Sequence, residues 1–344
     1  MKKILVWLSW WVDSAVTAYQ LIQQGYEVTG GFMKNYVAPT GNCSTYEDAE
    51  EAIKVADFLH IPLIAFDLQK EYQEKIIEYI FAWYQKWITP NPDVLCNTLI
   101  KFDVFLQKAL ELGFDGIATG HYARIEKDTS IFKLLRGKDY NKDQSYFLAG
   151  LNQFQLSKSI FPLGNFTKPE IRDIAEKIGL PNAKRKDSQG LCFIGNIPIK
   201  TFLEQKLPKK EGKIINHEWK IIGKHDGARF FTLGQRRGLN LLPDHYVTKI
   251  DVKNNEITVG PRDDKALNSK EVQLKDWHWI GAGFSAKTPV LAKIRYRQEP
   301  QCAQLLVTRD SALLTFEEPQ RSVTPGQVAV AYLWDECIGS WIIQ

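Results

Sequence analysis

Ser9-Trp10-Trp11-Val12-Asp13-Ser14 separates an apolar run beginning at Ile4 from a helical pattern beginning at Val12. A strand, a polar turn and a helix start bring unpaired backbone N–H groups to one point, which is the chemistry of an anion seat. Such turns normally use glycine, for positive φ and for close approach of backbone to phosphate. Here tryptophans stand at 10 and 11, so an anion site and a plain strand-to-helix connection both stay open. Five cysteines (Cys43, Cys96, Cys192, Cys302, Cys337) are the other chemical candidates. No C-x-x-C pair exists, which argues against a zinc ribbon or a cysteine-held cluster, and an odd count argues against a disulfide scaffold. Each is either a reactive thiol or a small buried hydrophobe. Lys184, Arg185 and Lys186 precede Cys192, and positive charge there would lower its thiol pKa.

The chain has 344 residues, 44% hydrophobic and 24% charged, with net charge +4. That is enough apolar material for two or three globular domains and excludes bulk disorder. The charge is concentrated: residues 181–240 hold 13 Lys/Arg against 5 Asp/Glu. This is either a solvated face or the footprint of a polyanion. No apolar run approaches the roughly 20 residues of a membrane span, and Met1-Lys2-Lys3 leads directly into the first strand. The expectation is a cytoplasmic protein with no membrane partner.

The elements that must position these groups alternate over residues 1–120. Strands are expected at Ile4–Leu8, Glu27–Met33, Pro62–Leu68 and Asp115–Thr119. A helix from Val12 ends near Gly25, and a second opens on the capping box Ser44-Thr45-Tyr46-Glu47. This order predicts an α/β nucleotide-binding domain, a parallel sheet with its ligand beyond the strand C-termini. Thr167-Lys168-Pro169-Glu170 caps a further helix. From about residue 205 the pattern becomes short strands: a hairpin over Val247–Val259 turning at Asn254-Asn255, then Val290–Arg297, Ala303–Val307, Leu313–Glu317, Val328–Leu333 and Ile338–Ile343. The expected domains are 1–204, a small central domain at 205–265, and a C-terminal all-β barrel at 266–344.

With glycine at 10 and 11 the first turn would read Ser-Gly-Gly-Val-Asp-Ser, the pyrophosphate loop of ATP-dependent adenylating enzymes. More specific segments follow in order: Phe32-Met33-Lys34-Asn35, Thr89-Pro90-Asn91-Pro92-Asp93-Val94-Leu95-Cys96-Asn97, Ala118-Thr119-Gly120-His121-Tyr122 and Asn141-Lys142-Asp143-Gln144-Ser145-Tyr146-Phe147-Leu148. Lys186-Asp187-Ser188-Gln189-Gly190-Leu191-Cys192-Phe193-Ile194-Gly195, Thr232-Leu233-Gly234-Gln235-Arg236, Arg295-Tyr296-Arg297 and Thr324-Pro325-Gly326-Gln327 complete the series. Across nearly its whole length the chain resembles the bacterial tRNA-specific 2-thiouridylases.

The resemblance implies ATP-dependent adenylation of the C2 oxygen of the wobble uridine in tRNA, then sulfur transfer from a cysteine persulfide. By motif, Cys192 resembles the persulfide carrier. Cys96 resembles the nucleophile that releases the sulfur, leaving a Cys96–Cys192 disulfide, and Asp93 resembles an acid/base group beside the uridine. Trp7, Leu8, Ser9, Trp10, Trp11, Val12, Asp13, Ser14, Met33 and Gly120 match ATP-site positions. Asn91, Pro92, Asp93, His121, Lys142, Asp143, Gln144, Arg295, Tyr296 and Gln327 match tRNA-contact positions. The implied partners are tRNA and a persulfide donor, either a relay protein or a cysteine desulfurase. Magnesium is expected with the ATP from the chemistry, and no separate metal site.

Trp7, Trp10, Trp11, Trp87, Trp219, Trp334 and Trp341 stand where this family reads glycine. Unrelated mutations would not converge on one residue type. A UGA codon, read as tryptophan in one variant code and as glycine in another, explains the pattern. Genuine tryptophan at 7, 10 and 11 would instead make the chain a catalytically impaired tRNA-binding homologue. An amide-forming synthetase shares the loop but has no use for Cys96 and Cys192.

Overall fold

A computed structural model describes residues 1–36, 44–185, 198–241, 244–284, 287–309 and 311–344. Ile4, Leu5 and Val6 are all buried in the first strand, β1 (Lys3–Trp7). A strand buried on both faces belongs inside a helix-covered parallel sheet. The chain continues through α1 (Val12–Gln23), β2 (Glu27–Lys34), α2 (Ser44–Phe58) and β3 (Leu63–Asp67). A long helix follows, built of Gln69–Tyr72, a π segment Gln73–Ile77 and Glu78–Gln85 (together α3). The next, α4, joins Pro92–Cys96, a π segment Asn97–Phe105 and Leu106–Glu111. Then come β4 (Gly116–Ala118), the hairpin β5 (Ala123–Asp128) and β6 (Ile131–Arg136), α5 (Ser145–Leu148), α6 (Gln153–Ser157), β7 (Ser159–Ile160) and α7 (Lys168–Lys177).

The first sheet has the order β3-β2-β1-β4-β7, with neighbouring strands parallel. The chain leaves β1 to one side and returns on the other, so β1 and β4 form the switch point where such sheets bind ligands. Thr167 and Glu170 make the expected reciprocal capping box at α7. The capping side chains expected at the start of α2 lie outside the described residues, and that helix begins at Ser44.

Beyond α8 (Ile199–Glu204), a four-stranded sheet is formed by β8 (Gly212–Ile215), β9 (Ile221–His225), β10 (Tyr246–Asp251) and β11 (Glu256–Gly260), in the order β10-β11-β8-β9. The expected hairpin is its β10–β11 arm, with Asn255 at φ 53° in the turn. The last six strands are β12 (Asn268–Trp279), β13 (Thr288–Lys293), β14 (Gln301–Val307), β15 (Ala312–Arg321), β16 (Val328–Leu333) and β17 (Glu336–Ile343). They run β12-β15-β14-β13-β16-β17, and β12 pairs again with β17, closing the barrel. The sequence did not foretell β12, nor that β6 pairs with β17 (Leu135 with Glu336, Leu134 with Cys337). That pairing carries a hairpin of the nucleotide-binding domain onto the barrel.

Five helix ends share one backbone geometry. Gly25, Gly113 and Gly179 follow their helices at φ 80°, 83° and 73°. At each, the residue donates to the carbonyl three back and its successor to the carbonyl five before it, as in Tyr26 N–H to Leu21 O. This is the left-handed cap that favours glycine. His60 and Trp87 occupy the same position at φ 54° and 62°. Trp219 (φ 62°) and Trp334 (φ 55°) adopt the same region in the β8–β9 and β16–β17 turns, 75% and 88% exposed. Only a few per cent of non-glycine residues do so, mostly Asn and Asp. Three of the ten tryptophans therefore sit on backbone made for glycine. Trp341 is fully buried, edge-on to Trp279, with an indole N–H that has no acceptor among the described residues.

Candidate active site

The turn after β1 is wound around Ser14. Its hydroxyl lies 2.9 Å from the carbonyls of Ser9 and Trp11, and it accepts from Ser9 N–H at 3.1 Å. Trp11 precedes α1 with extended backbone (φ −85°, ψ 146°) and offers no side-chain cap, so the first N–H groups of α1 face the turn. Gly120, after β4, presses against this point: a Cβ there would lie 2.9 Å from the carbonyl carbon of Asp13. A glycine is required here by space alone. Met33 is buried at the end of β2, and Leu8 and Val12 are buried beneath the turn.

Asp13 Oδ1 accepts from Tyr122 Oη at 2.9 Å and from Lys168 Nζ at 2.6 Å. Lys168 is the first residue of α7 and was read from the sequence only as part of a cap. The K-P-E sequence hid a side chain that reaches across to α1. Over the turn, the Trp10 and Trp11 rings lie 4.1 Å apart, and the Arg185 guanidinium lies 4.2 Å above Trp10. Three large side chains thus crowd the space a triphosphate needs. The turn as built of tryptophan does not fit one.

The second cluster is the start of α4. Asn91 caps it, its Oδ1 accepting from Val94 N–H at 3.3 Å, and Pro92 occupies the first turn without wasting a donor. Asp93 is half-buried on that turn, and Cys96 is 3% exposed one turn later. The other two domains hold this segment from outside. Gln327 Nε2 donates to the carbonyls of Thr89 and Pro90 at 3.0 and 3.1 Å. Thr89 N–H donates to Pro325, and its hydroxyl lies 3.3 Å from that of Thr232. Gly326 (φ 90°) passes so close that a Cβ would lie 2.7 Å from Thr89 O. Tyr146 Oη bridges Asn91 and Val328 O, and Tyr296 packs on Phe147 at 4.2 Å, its phenol pushed up to about 12 by burial. Arg295 donates to Arg321 O beside it.

Two residues expected on the tRNA face are interior. His121 is 7% exposed between Phe102 and Phe161, its Nδ1 2.6 Å from Thr119 Oγ1. Burial and then the charge of Lys101 hold its pKa well below 6.5, so the ring is neutral. Asp143 is 2% exposed. It accepts from Arg136 Nε, from the N–H groups of Gly137 and Ser145, and from the Ser145 hydroxyl, all within 3.3 Å. A carboxylate so enclosed orders the loop behind the surface, where Lys142 and Gln144 are half-exposed. Gln144 is tied to Tyr122 by two hydrogen bonds. Cys192 and Cys43 lie outside the described residues. Cys337 is buried, its thiol pushed up by burial, and Cys302 is exposed on β14.

Sequence comparison accounts for this three-part convergence. Family models match in series: a tRNA methyl transferase HUP domain over 2–196, a tRNA methyl transferase PRC-barrel domain over 200–261 and an aminomethyltransferase beta-barrel domain over 269–343. The tRNA-specific 2-thiouridylase of Flavobacterium johnsoniae is 43% identical over all of both chains. The chain belongs to the tRNA-specific 2-thiouridylase family. The Cupriavidus taiwanensis member is 44% identical, covering 100% of this chain and 99% of its own, and a Geobacillus kaustophilus member is 43% identical, covering 99% and 95%. Thiouridylases are sulfurtransferases. A U34-tRNA thiolase of Methanococcus maripaludis superposes with TM-score 0.38 at 17% identity, covering 55% of this chain and 61% of its own.

Proposed function

We propose that the protein is a tRNA 2-thiouridylase that adenylates C2 of the wobble uridine with ATP and then exchanges oxygen for sulfur. The observation that carries this is the Thr89–Cys96 segment, gripped by Thr232 and Gln327 from the other two domains, in a chain similar to thiouridylases from end to end. The uridine O2 attacks the α-phosphorus, pyrophosphate leaves with the bonding pair, and the N3 proton passes to Asp93. The terminal sulfur of a Cys192 persulfide then bonds to C2, and the C2–O bond breaks with its electrons on AMP. The Cys96 thiolate attacks the Cys192 sulfur, the S–S pair moves to the base sulfur, and a Cys96–Cys192 disulfide remains for an external thiol to reduce. Magnesium enters as part of the nucleotide substrate, and the persulfide comes from a relay protein or desulfurase. Cys96→Ser is expected to abolish 2-thiouridine in a nucleoside digest while tRNA-dependent pyrophosphate release continues. Thiolation by Cys96→Ser would overturn the assignment.

The active form carries glycine at 7, 10 and 11, and also at 87, 219, 334 and 341. Support comes from Trp87, Trp219 and Trp334, whose φ of 55–62° matches the glycine caps of the same chain. Support also comes from the crowding of Trp10, Trp11 and Arg185 over the turn. Mass spectrometry of the peptide spanning residues 4–20, from protein made in the source organism, tests this. Tryptophan there would mean a filled loop, no ATP binding and a role confined to holding tRNA.

A further inference from the structure

Lys101 lies on the π segment of α4, five residues after Cys96, and is 5% exposed. π segments recur at functional sites, and their i to i+5 bonding sets residues five apart on nearly one side. The ammonium lies 3.9 Å over the ring of Trp7, the last residue of β1, where the strand enters the turn that leads to α1. Among the described residues no carboxylate forms an ion pair with it, and the Trp7 ring is the group that faces its ammonium. Its charge helps hold the His121 ring neutral, so that side offers it no anion.

The magnitudes decide what this cation awaits. Removing an ammonium from water costs several kcal/mol even after relaxation. An indole face returns only about 0.5–2 kcal/mol. Glycine at 7 would remove that return together with the ring that covers the ammonium, opening it toward the turn that follows β1. A cation set this deep, unpaired by any described carboxylate and opened only toward the turn, is matched to an anion supplied from outside.

We propose that Lys101 is a catalytic residue that binds the α-phosphate of ATP during adenylation and holds the phosphate of AMP as it leaves. This rests on the thiouridylase reading above. In-line displacement puts the α-phosphate between the uridine oxygen and the departing pyrophosphate. Lys101 projects from the helix that carries Cys96 onto Trp7, where β1 enters the turn expected to hold pyrophosphate. In the first step the O2–P bond forms as the P–O bond to pyrophosphate breaks. In the second, the C2–O bond breaks and its electron pair stays on the AMP oxygen. Lys101 opposes charge on the same phosphate in both, without itself gaining or losing a proton.

The test starts from the chain carrying Trp7→Gly, Trp10→Gly and Trp11→Gly, and adds Lys101→Met or Lys101→Arg. AMP binding is measured by calorimetry, and tRNA-dependent pyrophosphate release gives kcat and KM. Loss of an electrostatic donor aimed at reacting charge typically costs ~100-fold or more in kcat. Lys101→Met is expected to lose about that in kcat and to weaken AMP at least tenfold, by analogy with such donors. Affinity for tRNA should stay within about twofold, and Lys101→Arg should recover part of the rate, because charge rather than packing is restored. AMP binding and turnover by Lys101→Met equal to the parent would overturn the role of Lys101 alone. A parent that neither binds AMP nor releases pyrophosphate would overturn it together with the thiouridylase reading.

Discussion

Lys168 Nζ sits 2.6 Å from Asp13 Oδ1, joining the first turn of α7 to the first turn of α1. The two side chains are 14% and 18% exposed, so the pair is shielded from solvent far more than a surface bridge. Lys168→Met leaves the Tyr122 hydroxyl, at 2.9 Å, to hold Asp13. The expected cost is ~1.5–3 kcal/mol, the range for hydrogen bonds to charged groups. Urea unfolding checks the stability; in the chain carrying Trp7→Gly, Trp10→Gly and Trp11→Gly, a raised KM for ATP with smaller change in tRNA affinity checks the positioning of α1.

Asp143→Asn removes charge from a carboxylate that holds Arg136, Gly137 and Ser145 at once. It leaves a guanidinium only 10% exposed without its anion. A loss of ~3 kcal/mol or more follows from breaking one side of a buried pair. Ser145 also touches Tyr332 of the barrel, so thermal unfolding should lose cooperativity between the first domain and the barrel.

His121 gives a pH signature. Its folded pKa is depressed below 6.5 by burial and by Lys101. Below 6.5 the unfolded chain takes up a proton that the buried ring refuses. Its contribution to stability is therefore complete above that pH and declines as pH falls, by up to ~1.4 kcal/mol per unit until the folded pKa is reached. His121→Gln should flatten the stability profile between pH 6.5 and 5 relative to the parent, measured by denaturant titration at each pH.

Trp219→Gly and Trp334→Gly should each stabilise the fold by ~1 kcal/mol, since relief of left-handed strain outweighs the entropy of glycine. Both rings are mostly in solvent, so little burial is lost. Trp87→Gly should gain less, because its half-buried ring carries the Arg229 guanidinium at 5.0 Å. Melting temperatures of the three single variants rank these effects.

The sheet around β1 was legible because local pattern and burial agree: Ile4 to Val6 read as a buried strand, and Gly25 marks the end of α1. The barrel strands from β13 onward were legible as alternating runs between turns. The β5–β6 hairpin closes locally across Thr129-Ser130 and was not read, and its join to Glu336, two hundred residues away, has no local pattern to announce it. The motif segments located the Thr89–Cys96 cluster but not the role of Asp143 or His121. Exposure is a property of what packs on a residue, and for Asp143 those groups include Arg136 and Ser145 in a closed loop. Lys168 and Lys101 were missed for the opposite reason: a single lysine has no pattern, and only the fold shows where its ammonium goes.

The pairing of β6 with β17 also sets an order of events during synthesis. When residues 123–136 leave the ribosome, one edge of their hairpin has no partner until Glu336 and Cys337 are made. At roughly 5–20 residues per second that interval is about 10–40 s. The hairpin is thus an open strand edge in every nascent copy until the last ribbon of the barrel arrives, and an unpaired edge is a template for pairing with neighbouring chains.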